Sequence, residues 1–264
     1  MAKKVEGSIG LRERIRSGTP VLGTWNTLAS PLVTEVLAVS GLDFQVIDLE
    51  HGPFVMDEVH LHVSACSGYG DCAPLVRIPA NEPWMALQAL DQGAEGIVVP
   101  HIDGVSGAAR FAESIRYHPD GGRGFTPFSK AGNFGTRKVS THVSASNNEV
   151  VGVAIVESLE SLAVAGEIAG VDGIDVVYFG AYDLSQQLGY PGEPLHPEVV
   201  DAISEGVARV HRANCCAGGF VPRDRSGVQW LLELGMGFIT FDVDSSILGT
   251  AVADVVEWFR LDAD

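Results

Sequence analysis

Lysine is scarce in this 264-residue chain: Lys3, Lys4, Lys130 and Lys138 are all of it. None falls at the end of an apolar, strand-like run. A Schiff-base aldolase needs a desolvated lysine in its pocket, so carbonyl chemistry here would have to use a metal. Positive charge of any kind is short, with 17 Lys and Arg against 34 Asp and Glu and a net charge of -17. Nucleic acids and anionic membranes both require basic patches, so neither is expected as a partner. An anionic substrate would need its own local source of positive charge. The four cysteines, Cys66, Cys72, Cys215 and Cys216, make no C-x-x-C pair. That spacing predicts reduced thiols in a cytoplasmic protein and no zinc site. No uninterrupted apolar run reaches about 18 residues, so no membrane span is expected. The start, Met1 to Glu6, lacks the apolar core of a signal peptide.

What is present is ordinary for a soluble globular protein: 46% hydrophobic and 19% charged residues. The length suits one large α/β domain or two small ones. No charge block, low-complexity tract or Pro-rich linker divides it, so residues 1–264 are read as a single domain. Strand-like runs are predicted at Val21–Trp25, Phe44–Leu49, Ala73–Arg77, Gly96–Val99, Val150–Val156, Asp175–Phe179, Cys216–Phe220 and Phe238–Asp242. Helical patterns lie between them, at Pro31–Ser40, Pro83–Gln92, Val105–Tyr117, Ser161–Ala169, Pro197–Ala213 and Arg225–Leu234. Gly41, Gly93, Gly170 and Gly235 follow helical stretches, where a left-handed cap is wanted. The alternation predicts a (β/α)8 TIM barrel, with a doubly wound open sheet as its competitor.

Two segments stand out. His118 to Glu149 is long for a loop and rich in Ser, Thr, Asn and Gly, so it is read as functional or as holding a short helix. Its place after the fourth strand unit puts it, on this reading, on the active-site side. Ser245 to Arg260 is amphipathic, with Leu248, Val252, Val255, Val256 and Phe259 on one side. It could close the barrel or dock on another subunit.

Polar residues cluster where apolar runs end. Val46-Ile47-Asp48-Leu49-Glu50-His51-Gly52-Pro53 closes one run, Val76-Arg77 another and Ile155-Val156-Glu157 a third. In a barrel enzyme the active site sits at the carboxyl ends of the strands. Glu157 and Asp183, from different strand units, could share one hard divalent cation. His51 could be a general base held by Asp48. Arg77 offers a fork for a carboxylate. Each acid could equally cap a helix or form an ion pair, as Asp183 before Leu-Ser would. His60 and His62, two apart in a helical stretch, do not share a face and are read as structural. His101 is a candidate supporting residue. His118, His142, His196 and His211 are given no role. Gly121-Gly122-Arg123-Gly124 lacks the Lys-Ser/Thr of a phosphate loop.

These motifs together resemble the metal-dependent pyruvate aldolases of the HpcH/HpaI family. The likeness runs from Gly23-Thr24-Trp25 through Gly41-Leu42-Asp43-Phe44, Ile47 to Pro53, Pro74 to Arg77, Gly93 to Pro100 and Arg123-Gly124. It continues through Glu157, Gly170 to Gly173, Phe179 to Ser185 and Gly189-Tyr190, nearly the whole chain. The resemblance implies a barrel assembled as a hexamer, a trimer of dimers, with the last helix exchanged. It implies Mg2+, Mn2+ or Co2+ on Glu157 and Asp183, and pyruvate bound through its carboxylate and ketone oxygens. Arg77 would hold the ketone or enolate oxygen. His51, oriented by Asp48, would transfer protons. Backbone amides near Gly180, Ala181, Tyr182 and Asp183 would receive the carboxylate, with Trp25 also lining the substrate site. Asp91, Glu50, Arg123 and His101 would support these side chains, Asp91 from near a subunit interface.

The implied reaction is reversible cleavage of a 4-hydroxy-2-oxo acid to pyruvate and an aldehyde. The rivals are enolate enzymes acting on acyl-CoA or oxaloacetate-type substrates, such as citrate lyase beta, citrate synthase and macrophomate synthase relatives, or a non-catalytic metabolite-binding protein. A CoA substrate would want basic residues at the mouth; Arg123, Lys130, Arg137 and Lys138 are the candidates. Ile155 stands where these aldolases often have glutamine, Ala181-Tyr182 where Pro-x is common, and Asp242 where glycine is common. The segment 126–146 differs too and is expected to shape the aldehyde pocket.

Overall fold

A computed structural model describes residues 9–68, 71–221 and 225–263. The expectations for Met1 to Glu6, Lys3 and Lys4 included, lie outside these residues. The elements in chain order are α1 (Leu11–Arg16), β1 (Val21–Asn26), α2 (Pro31–Val39), β2 (Phe44–Asp48), α3 (Val59–Ser67), β3 (Ala73–Arg77), α4 (Pro83–Asp91), β4 (Gly96–Val99), α5 (Val105–Ser114) and α6 (Val139–Glu149). Then come β5 (Val151–Val156), α7 (Leu159–Ala163), α8 (Ala165–Ala169), β6 (Val176–Phe179), α9 (Ala181–Gln187), α10 (Pro197–Arg212), β7 (Cys216–Val221), α11 (Arg225–Glu233), β8 (Phe238–Val243) and α12 (Asp244–Ala263).

The eight strands are all parallel and close in sequence order, β8 pairing back onto β1 with Val21 opposite Phe238. The closed barrel excludes the open sheet. Alternation along each strand separates two cores. In β5, Val151, Val153 and Ile155 face the lumen with Phe44, Leu75, Tyr178 and Phe238, and Leu11 and Ile15 of α1 plug its base. Ala154 and Val156 face outward into the larger core beneath the helices. Phe44 stacks on Phe238 with ring centroids 4.1 Å apart.

The strand expectations hold to within a residue at each end. Helix α5 ends at Ser114, three residues before the predicted end at Tyr117. The helix expected over Ser161–Ala169 is two short helices, because the backbone at Val164 (φ -110°, ψ 20°) leaves the helical region. Gly41, Gly93 and Gly235 have the left-handed φ expected of caps, whereas Gly170 is right-handed and the reversal falls at Gly173 (φ 103°). His62 is buried with Nδ1 2.9 Å from Thr34 Oγ1, a structural histidine as expected.

The segment His118 to Glu149 does hold a helix, α6, but not on the expected face. It joins the end of α5 to the start of β5, so it lies at the amino-terminal end of the barrel. Its anchors are there: Arg12 of α1 donates to the Asn147 carbonyl at 2.7 Å, and the Asn147 amide brackets the Tyr117 backbone. A helix–strand connection in a parallel barrel returns to the end opposite the active site. Residues 126–146 therefore do not shape this chain's own pocket. Lys130, bonded to Ser64 Oγ at 2.6 Å, and Arg137 are likewise away from its mouth.

Helix α12 is tied to the barrel at its first turn, where Asp244 accepts from the backbone N–H groups of Thr27 (2.8 Å) and Leu28 (3.0 Å) just after β1, and the rest of it does not close the barrel. Its Leu248, Val252, Val255 and Phe259 are 55% exposed or more within the single chain. No helix among the described residues is long and apolar enough to cross a membrane.

Candidate active site

Strand β2 delivers Asp48, 1% exposed, to the carboxyl end of the barrel. Its Oδ1 accepts from the backbone N–H groups of Glu50 (3.0 Å) and His51 (3.2 Å), tying down the turn after the strand. Strand β3 ends in Arg77, which donates through Nε and Nη2 to the two oxygens of Asp48, a bidentate fork. Arg77 Nη1 lies 2.9 Å from Glu50 Oε2, and the guanidinium sits 4.4 Å over the Trp25 ring. Burial pulls the Arg77 pKa down, but its bonding to Asp48 and the charges of Asp48 and Glu50 outweigh this and hold it above the ordinary value.

Asp48 thus fixes Arg77 and the backbone of His51, and the expected Asp48–imidazole pair is not formed. The two N–H groups of the turn and the guanidinium already use the carboxylate's acceptor directions. The His51 ring is 72% exposed, and the acid nearest it is Glu50, with Oε2 3.9 Å from Nε2.

Glu157 follows β5 directly, with its side chain 11% exposed. Its Oε1 accepts from the His101 backbone N–H at 2.6 Å and lies 2.6 Å from His101 Nδ1. His101 Nε2 in turn is 3.2 Å from Glu50 Oε1, so one imidazole links the two acids. His101 adopts a left-handed backbone (φ 56°), which is uncommon for a side-chain-bearing residue and marks a held conformation. Burial first, then repulsion from Asp183 and Glu50, push the Glu157 carboxyl above the usual range against the pull of His101.

Asp183 lies in the first turn of α9, which begins without a side-chain cap after Gly180. Gly180 is where the chain passes closest to Glu157: a Cβ there would lie 2.7 Å from the Glu157 Cβ. Gly180→Ala is expected to displace Glu157 and weaken divalent-cation binding while leaving the barrel folded. Calorimetric titration with Mn2+ alongside circular dichroism checks this. Tyr182 is exposed and its ring faces Phe220 at 5.9 Å.

Other expected residues sit elsewhere. Trp25 is 7% exposed and lies under Arg77, with its indole N–H donated to Thr240 Oγ1 at 2.9 Å; it supports the arginine rather than lining open space. Asp91 ends α4, and helices run antiparallel to the strands, so it lies toward the amino-terminal end of the barrel. There it pairs with Arg123 Nη2 at 2.6 Å, so neither side chain supports this chain's own site.

Two hydroxyls escaped the sequence reading. Tyr178 OH and Thr240 Oγ1 are 2.5 Å apart in the lumen beneath Arg77, and burial pushes the phenol up to about 12. A threonine two positions after the lumen-facing Phe238 of β8 was the available signal. Asp242 also has a left-handed backbone (φ 52°), which accounts for glycine being suited to that position; its Oδ1 accepts from the Val243 N–H at 2.8 Å.

The model of the HpcH/HpaI aldolase/citrate lyase family matches residues 22–250. A hydroxypyruvate/pyruvate aldolase of Sagittula stellata is 32% identical over 245 residues, 92% of this chain and 95% of that protein. A 4-hydroxy-2-oxovalerate aldolase of Rhodococcus jostii is 32% identical over 90% of both chains. The crystal structure of a HpcH/HpaI aldolase/citrate lyase family protein from Burkholderia cenocepacia superposes with a TM-score of 0.90 at 31% identity, covering 95% of this chain and 98% of that one.

Proposed function

We propose that this chain, which belongs to the HpcH/HpaI aldolase/citrate lyase family, is a divalent-metal-dependent aldolase that reversibly cleaves a 4-hydroxy-2-oxo acid to pyruvate and an aldehyde. The observation that carries the reading is the gathering of Arg77, Glu50, His101 and Glu157 into one linked set at the carboxyl end of the barrel, with Asp183 near enough to act on Glu157.

The donor set fits a hard divalent cation such as Mg2+, Mn2+ or Co2+. Glu157 and Asp183 offer only oxygens, and burial, with smaller contributions from the charges of Asp183 and Glu50, pushes the Glu157 carboxyl up, a cost to its ionised form that a bound cation would offset. A cation held there would supply Lewis-acid stabilisation of charge developing on a ketone oxygen.

The chain's own residues do the rest. Arg77 spends two of its five N–H groups on Asp48 and is ion-paired with Glu50, leaving donors for the oxygen that becomes anionic as pyruvate enolises. Because Asp48 and Trp25 hold it from two directions, little reorganisation is needed when charge appears. His51, exposed and without a close ring partner, moves the proton to and from the carbon. The first-turn amides of α9 receive the substrate carboxylate. Ile155, on the lumen face near this end, gives the floor an apolar character. The acyl-CoA reading is weaker, because Arg123 and Lys130, two of the cations it would call on, lie at the opposite end of the barrel.

Deuterium exchange into the pyruvate methyl group, followed by NMR with Mg2+ or Mn2+ and again with chelator, tests the reading. Exchange that depends on the cation is expected; no exchange in folded, cation-loaded protein would overturn it. His51→Ala should slow exchange by about 10²–10⁴-fold while leaving cation affinity within a few-fold. Parallel losses in both would recast His51 as structural.

The protein is further proposed to be a cytoplasmic homo-oligomer, a hexamer built from dimers, with the apolar face of α12 covered by another subunit. That much contiguous exposed apolar surface is costly for a monomer. Light scattering of a Val252→Glu, Phe259→Glu double variant should give a smaller assembly than the parent.

A further inference from the structure

Cys66, near the end of α3, and Cys72, just before β3, are six positions apart in the chain, with their sulfurs 3.5 Å from each other. Both are buried among Ala38 and Leu42. The Gln45 amide nitrogen points at both, 3.5 Å from Cys72 Sγ and 3.6 Å from Cys66 Sγ. It is fixed in place, since Asn26 donates to its oxygen at 2.8 Å and it donates to the Thr34 carbonyl at 3.1 Å.

The two thiols are not equivalent. The Cys66 S–H can donate to the Cys72 sulfur, or to the Cys72 carbonyl at 3.3 Å. Cys72 sulfur can therefore accept from both Gln45 and Cys66, which suits a thiolate, whereas Cys66 sulfur accepts from Gln45 alone. Access differs as well. A cavity of about 610 Å³ at the amino-terminal end of the barrel has Cys72 in its wall, together with Val63, Leu90, Ala94 and Lys130; Cys66 is behind that wall.

We propose that Cys72 is a peroxide-reactive thiol and Cys66 its resolving partner, the two forming a reversible disulfide. The site is separate from the proposed active site, at the other end of the barrel. The Cys72 thiolate attacks one oxygen of hydrogen peroxide; the S–O bond forms, the O–O bond breaks, and the departing hydroxide is protonated to water. Cys66 sulfur then attacks Cys72 sulfur. The S–S bond forms, the S–O bond breaks, and hydroxide leaves with the Cys66 proton as a second water. Two thiols are oxidised by two electrons and one peroxide is reduced. The sulfurs need to close from 3.5 Å to the bonded distance of about 2.05 Å.

The acidities run the same way. Hydrogen bonds from Cys66 and Gln45 hold Cys72 below the ordinary thiol value although burial opposes them, and pairing with Cys72 together with burial pushes Cys66 up. Cys215 and Cys216 are pushed up to about 12 and about 11 by burial, which makes them internal controls.

The test is to treat the full chain with hydrogen peroxide, alkylate it under denaturing conditions and map the peptides. A Cys66–Cys72 crosslink reversed by dithiothreitol is expected, with Cys215 and Cys216 still alkylatable. In Cys66→Ser, dimedone should trap a sulfenic acid on Cys72 at least about tenfold faster than on Cys215 or Cys216, following the thiolate fractions. Cys66 and Cys72 both remaining free at a dose that oxidises Cys215 or Cys216 would overturn the proposal. So would trapping on Cys66 in Cys72→Ser at the rate seen for Cys72. The crosslink in the unsubstituted protein decides the matter even if a variant fails to fold.

Discussion

Glu157→Ala is expected to remove cation-dependent exchange of the pyruvate methyl protons, a loss of at least about 10²–10³-fold on the scale of deleting one charge-stabilising group. Three consequences of the deletion add up. One of the two proposed acidic donors is lost, His101 loses the acceptor that holds its ring and backbone N–H, and Glu50 loses the imidazole bridge to its neighbour. Glu157→Gln separates these effects, since an amide oxygen can still accept from His101 but carries no charge. The raised Glu157 pKa also sets a pH dependence. A carboxyl with a raised folded pKa disfavours the fold when ionised, so its penalty is present above that pKa and is relieved as pH falls through it. Cation affinity should move the opposite way, falling on acidification from a higher pH than an unperturbed glutamate would give. Titrations with Mn2+ at several pH values check the direction, and Glu157→Gln should flatten the profile.

Asp175→Asn should destabilise the barrel by about 3–5 kcal/mol, the range for removing one partner of a buried ion pair. Asp175 is 1% exposed at the side chain and sits at the foot of β6. Its oxygens take the Arg12 Nε at 2.8 Å, the Arg16 Nε at 3.2 Å, the Gly152 N–H at 3.0 Å and the Arg116 Nη2 at 3.4 Å. Burial first, and then the nearby Arg12, bring the Arg116 guanidinium down to about 10, while Asp175 pulls it back up. Neutralising the acid leaves Arg12 and Arg116 buried without their counter-charge. At about 2–4 °C per kcal/mol for a domain near this size, the melting temperature should fall on the order of 10 °C. Differential scanning calorimetry measures it, and pyruvate exchange per folded molecule should be unchanged.

The barrel was largely legible because each strand of a parallel barrel is buried on both faces and reads as an apolar run ended by a polar residue. Asp48, Arg77 and Glu157 stood out for that reason, as charges where such runs stop. What periodicity does not carry is the partner across space. Asp48 lies three positions from His51, which suggested a dyad, but strand register places Asp48 opposite Arg77, and the arginine takes the carboxylate. The segment His118 to Glu149 was placed by its order after β4, yet a full helix intervenes and carries the chain to the other end. Tyr178 with Thr240, and Cys66 with Cys72, meet through packing between different elements, which no short motif encodes.

Arg12, Arg116 and Asp175 tie together α1, the end of α5 and the foot of β6, all at the end of the barrel away from Glu157 and Arg77. Durability and chemistry are thereby lodged in different sets of positions. On the proposed function, a lineage of such barrels can exchange residues at the carboxyl end and sample new aldehydes while its mechanical anchor stays untouched. Directed evolution of acceptor scope from this chain should for the same reason tolerate many simultaneous changes at the carboxyl end before the fold becomes the limiting property.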